Sequence, residues 1–304
     1  MMLKTFLKIA LSSALLTYLL LRIPVSEIWA RLQAIDPTYF FGALILTLAA
    51  WWISAIRLWF LEPMFRLRDV VRVTFVALYY GTVLPGQVAG DMMKVYQLSS
   101  RQGSPGQAAA ITLIDRAVAT FALFLLGACA VPFVEQVPRT LMFLFAMAAA
   151  IFLSLLLLAI PRVHFFVSRL LMPKQPNIMR AFLGRLVDAT NIVLQHPKRL
   201  IICFLLAIVF HVLCVAIHMV LAHALGIALP LATWILVYAG ISLLLFFPIS
   251  LAGLGLREGG YIGLLAIFGI SASKALTMSL VFFSYILFGA LLGWIVELSG
   301  VRES

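Results

Sequence analysis

Residues 231–268 read LATWILVYAGISLLLFFPISLAGLGLREGGYIGLLAIF, an apolar run whose only charges are Arg257 and Glu258 and which is interrupted by Pro248, Gly253 and Gly255. A proline followed by closely spaced glycines stops a helix, so Leu231 to Phe268 is expected to form two short helical pieces around a non-helical turn. The free N–H and C=O groups of such a turn are tolerated at membrane depth only if buried in protein or lining a wet cavity. Val73 to Ser100, VTFVALYYGTVLPGQVAGDMMKVYQLSS, follows the same plan. The two stretches share Pro-x-x-x-Ala-Gly, which pairs Pro85 with Pro248, Ala89 with Ala252 and Gly90 with Gly253 at a common offset of 163 residues.

The flanking sequence is apolar as well. Of 304 residues, 64% are hydrophobic and 11% charged, against roughly 25% charged in a soluble domain. A mean hydropathy of +1.13 excludes a soluble fold and leaves no window polar enough for an appended soluble domain. The expected fold is an all-α polytopic membrane protein, a single integral membrane domain over residues 1–304 with room for roughly six to nine spans. Unbroken spans are expected at Ile9 to Leu21 (an uncleaved first helix), Tyr39 to Ile56, Ala108 to Val131, Thr140 to Ile160, Leu200 to Leu225 and Ala275 to Leu298. Residues 161–197, where Phe165, Phe166, Leu170 and Leu171 alternate with basic residues, are expected to be amphipathic helices on the cytoplasmic leaflet.

A net charge of +11 in a soluble chain would point to nucleic acid. In a polytopic protein it marks sidedness instead, and no nucleic-acid partner is expected. With both termini cytoplasmic, fifteen of the 22 basic residues, Arg57 among them, fall on inward segments. Four (Arg22, Arg31, Arg139, Lys274) fall on outward loops, and Lys94, Arg116 and Arg257 fall within membrane segments. In this count the first broken hairpin starts and ends inside and the second outside. The units at about 39–131 and 200–298 are therefore expected to be inverted repeats, and paired interrupted helices in such repeats point to a transport site near the midplane.

A charge at a helix centre costs roughly +2.5 to +3.5 kcal/mol on insertion scales, so such residues face polar cavities and pair with one another. Asp91 and Lys94 follow the first break, Arg257 and Glu258 follow the second, and Asp115-Arg116 lies inside the third unbroken span. Asp91 and Lys94, at i and i+3, are expected to pair internally. That leaves Arg116 and Arg257 to hold an anionic group, since guanidinium is permanently charged and bidentate toward phosphate oxygens. Around them, Pro85, Gly86, Gln87 and Gly90 in the first turn, and Pro248, Ser250, Gly253 and Gly255 in the second, complete a candidate substrate site. Glycine-rich turns at half-helix N-termini present N–H donors to an anion, although small residues also serve close helix packing in lipid.

Other residues have plainer expected roles. His211 and His218 share a helix face and are read as interhelical hydrogen-bonding groups. Cys129, Cys203 and Cys214 lack CxxC spacing and are read as core hydrophobes. Trp51, Trp52 and Trp59 are read as interfacial anchors. The sequence has no catalytic triad order, metal-ligand cluster or phosphate-binding loop, so no cofactor is expected.

Leu84 to Asp91, Ala109 to Arg116 and Phe247 to Gly259 resemble the signatures of the lysylphosphatidylglycerol synthase transmembrane-region family, and the resemblance covers nearly the whole chain. The family's common arginine in the last span is here replaced by Phe282-Phe283. The resemblance implies a stand-alone flippase-like member without a synthetase domain, in the inner (plasma) membrane. Its expected activity is translocation of a lipid with a phosphate-bearing head group, such as an aminoacyl-phosphatidylglycerol or a polyprenyl-phosphate lipid. Expected protein partners are a second copy of the chain or a lipid-synthesis enzyme. The alternative is an integral-membrane enzyme or accessory subunit of lipid or glycolipid synthesis, for which Asp91 or Glu258 would be the acid.

Overall fold

The computed structural model describes residues 17, 23–62, 64–84, 88–102, 105–137, 145–150, 153, 197–246, 250 and 253–301. Among them there is no strand. Four helices among the described residues are long and apolar enough to cross a membrane, Pro37–Leu61, Pro105–Phe133, Lys198–Ala224 and Ala272–Ser299, and they coincide with four of the expected spans. The protein is an all-α membrane protein.

Helix α1 (Val25–Gln33) precedes α2 (Pro37–Leu61). The start of α2 is set locally: Asp36 accepts the Thr38 N–H at 2.8 Å, and Pro37 occupies the first turn. Helix α3 (Leu67–Val83) stops just ahead of Pro85, because a residue preceding proline is pushed out of the helical region. Helix α4 (Val88–Gln102) and α5 (Pro105–Ala130) follow, and α5 runs into a 3-10 turn, Val131–Phe133. The second half comprises α6 (Pro197–Ala224), α7 (Leu231–Phe246), α8 (Leu256–Ala266) and α9 (Ala272–Val301). Both interrupted stretches are thus helix–break–helix, as expected. The expected first span apart from Thr17, the span at 140–160 apart from residues 145–150 and 153, and the connection from 161 to 196 lie outside the described residues.

The longest packing interface joins α2 to α6. Several of the remaining neighbours recur in pairs, α3 with α4 as α7 with α8, α4 with α5 as α8 with α9, α2 with α3 as α6 with α7, and α3 with α9 as α7 with α5, whereas the contacts of α5 with α6 and of α1 with α9 have no counterpart of like extent among the described residues. The largest apolar cluster, around Trp234, Tyr261, Met278 and Tyr285, joins α6, α7, α8 and α9, and a second one joins α2, α5 and α6 through Leu58, Ile111 and Cys203. The hairpin α3–α4 closes so tightly that a Cβ on Gly90 would lie 2.6 Å from the Ala77 carbonyl oxygen, the close backbone approach that small residues permit in lipid. Four buried threonines are satisfied within their own helices: Thr47, Thr74, Thr112 and Thr277 each donate to the carbonyl four residues earlier.

Two expectations need correction. Trp51 is not interfacial; it lies at mid-length of α2 and packs edge-on against Phe75 of α3, 6.1 Å between ring centroids, because the α2–α3 contact needs a large filler there. Cys129 is exposed on α5 rather than buried, whereas Cys203 and Cys214 are buried as expected. In a bilayer the exposed helix face meets lipid tails, so an apolar side chain has no need of the core.

Candidate functional site

Helices α4 and α5 pack together after the first break, and each contributes one acid and one base to the contact. The pairing between them is crosswise. Arg116 Nη1 bonds Asp91 Oδ2, and Lys94 Nζ lies 3.7 Å from Asp115 Oδ2. The expected internal pair of Asp91 with Lys94 is therefore replaced by interhelical pairs, because α5 presents an opposite charge to each of them. The Arg116–Asp91 pair is partly open, with side-chain exposures of 34% and 22%.

Arg57 is the member that sequence reasoning misplaced. Expected on an inward segment, it lies inside α2, only 4% exposed, and donates its Nε–H to Asp115 Oδ1 at 2.6 Å. Its guanidinium carbon also sits 5.7 Å from the centre of the Phe210 ring. Its Nη1 is buried with no hydrogen-bond partner among the described residues. The available signal was a single charge followed by Leu58-Trp59-Phe60-Leu61, apolar enough to continue the span past Ile56. Among the described residues the cluster thus holds three cations (Arg57, Lys94, Arg116) against two carboxylates (Asp91, Asp115), one positive charge in excess.

The second break builds a different arrangement. Gly253 and Gly255 have φ of +81° and +78°, a region where side chains are strained, and the turn they form delivers the chain into α8. Glu258, fully buried, accepts the Gly255 N–H and the Ser279 hydroxyl, the latter at 3.1 Å. This ties the start of α8 to α9. Arg257 is 3% exposed, and its guanidinium carbon stands 5.1 Å from the Phe283 ring centre. A Cβ on Gly253 would meet Arg257 Nη2 at 2.8 Å and Leu245 Cδ2 at 2.9 Å, so a side chain there would displace both, and the positive φ by itself favours glycine. Ser250 is buried nearby in sequence. Pro85, Gly86, Gln87 and Pro248 lie outside the described residues.

Between the clusters runs a ladder on α6. His211 Nε2 donates to the Ala119 carbonyl on α5 at 2.8 Å, which leaves Nδ1 to accept from Tyr238 of α7 at 3.0 Å. His218 Nδ1 donates to the Cys214 carbonyl, so Nε2 accepts from the Tyr261 hydroxyl of α8. These tautomers follow because a carbonyl oxygen can only accept. Interhelical hydrogen bonding, the expected role of both histidines, is what they perform.

The profile of a family described as lysylphosphatidylglycerol synthase TM region matches residues 5–293. No curated protein and no solved structure matches the chain.

Proposed function

The chain belongs to the lysylphosphatidylglycerol synthase TM region family, and from that premise we propose that it translocates a lipid with a phosphate-bearing head group across the inner membrane. Membership ties the chain to membrane-lipid synthesis or translocation, and the charge cluster at the first hairpin carries the choice of translocation. Three cations against two carboxylates leave room for one further anion, and Arg57 Nη1 is a buried donor without a hydrogen-bond acceptor among the described residues. A phosphate arriving at Arg116 exchanges Asp91 for another anionic partner, so the guanidinium is never left uncompensated in a low-dielectric setting. Lys94 adds a point charge beside it.

Arg257 in the second hairpin, which stands where Lys94 stands in the first by the common offset of 163 residues, is read as contacting the head group when the opposite side is open. The recurring pairs of neighbouring helices support an inverted repeat. With Arg57 placed inside α2, fourteen inward basic residues against four outward ones support cytoplasmic termini. Alternating access then rests on the two hairpins opening in turn.

The test is transport of head-group-labelled phosphatidylglycerol in proteoliposomes. Arg116→Gln and Arg57→Lys are each expected to lower the rate about tenfold or more, the loss of one charge-assisted contact, and Arg257→Gln is expected to do likewise. Rates unchanged in all three variants, with monodisperse protein, would overturn the head-group role.

A further inference from the structure

A cavity of about 470 Å³ opens between the start of α3 and the end of α9, lined by none of the residues of the α4–α5 charge cluster. Its lining is divided by polarity. Arg66, Arg68 and Arg72 with Asp69 supply the polar part, while Val71, Phe75 and Val296 supply an apolar part. Three guanidinium groups against one carboxylate make the cavity strongly attractive to anions.

Its depth is set by α9, whose membrane-crossing stretch ends at Ser299, itself a lining residue. Just before it, Leu291, Ile295 and Leu298 are exposed on α9, and beside the start of α3 Met64 is 88% exposed. Large apolar side chains so exposed at the end of a span sit among acyl chains, so the arginines stand at head-group level. A free phosphate would need only the charged part of the lining. An amphipathic ligand accounts for the apolar part and for the continuation onto the lipid-facing side of α9.

The geometry points to a binding site for the phosphate head group of an anionic glycerophospholipid, drawn from the leaflet on this side, with its glycerol against Phe75 and Val296 and its chains along α9. A basic cavity at a helix end is a known way of holding such head groups. This site is independent of the transport reading, and its failure would leave the role of Arg57 and Arg116 untouched.

The experiment is native mass spectrometry of the full chain released from micelles doped with phosphatidylglycerol or phosphatidylethanolamine, together with thermal unfolding in the same mixtures. Wild type is expected to retain phosphatidylglycerol and to be stabilised by it. Arg68→Gln/Arg72→Gln is expected to lose retention about 30-fold, the effect of two cations at a membrane surface. Lys198→Gln/Arg199→Gln, which removes the same charge outside the cavity, is expected to behave as wild type. Equal loss in both double variants, equal retention of phosphatidylethanolamine, or displacement of the lipid by millimolar inorganic phosphate would each overturn the proposal. If the first pair fails to fold, Arg68→Lys/Arg72→Lys keeps the charge and is expected to retain the lipid while losing its stabilisation in part.

Discussion

Asp115 is the residue on which the first cluster turns, since its two oxygens face Arg57 and Lys94 from two other helices. Removing one member of a buried pair leaves an uncompensated charge and costs about 3–5 kcal/mol. Asp115→Asn is therefore expected to lower the unfolding midpoint in detergent strongly. Asp115→Leu/Arg57→Met is expected to recover most of that loss yet remain inactive in transport. A double variant as unstable as the single would show that the pair does not govern stability. The sequence made Asp91, Lys94, Asp115, Arg116, Arg257 and Glu258 visible as charges in apolar runs. It concealed Arg57, because a cation at the end of an apolar run reads equally well as a loop residue. It also could not choose between an intrahelical and a crosswise pairing, since that depends on which helix lies opposite.

At the scale of elements, the tight hairpin α3–α4 gives opposite expectations for two glycines that face each other. A Cβ on Gly90 meets a backbone carbonyl at 2.6 Å, whereas one on Gly81 meets its nearest atom at 3.6 Å. Backbone cannot rotate away, so Gly90→Ala is expected to cost on the order of 1–3 kcal/mol through overpacking, and Gly81→Ala is expected to be tolerated. Thermal unfolding of the two variants checks this, and equal midpoints would mean that the hairpin is looser than described. Helix α1 supplies a pH-dependent link. Glu27 accepts from Arg31 at 2.6 Å and from Ser273 of α9 at 2.7 Å, and the Arg31 bond first, then the Ser273 bond, lowers its pKa below the ordinary 4.5. A lowered carboxyl pKa contributes stability that is present above 4.5 and lost as pH falls through the folded value. The unfolding midpoint is expected to drop on acidification below that range, and Glu27→Gln is expected to flatten this limb; an unaltered acid limb in the variant would place its origin elsewhere.

For the whole molecule, the inverted arrangement predicts opposite sidedness of the two breaks. With Cys129, Cys203 and Cys214 replaced, a single cysteine at Gln87 is expected to react with a membrane-impermeant thiol reagent from one side, and one at Ser250 from the other. Both reacting from the same side alone would remove the basis for alternating access. Composition and apolar run length determined by themselves that this is a helical membrane protein, where four of its long spans lie and where two of its helices break. These are local properties: a bilayer demands internally bonded backbone, and proline and glycine stop a helix wherever they fall. Only the tertiary structure decided that Arg57 joins Asp115, that Asp91 crosses to Arg116, that Arg257 stands on Phe283, and that three arginines close around a cavity beside α9. Each of these depends on which helices are packed side by side, and a buried charge takes whichever partner the packing places within reach.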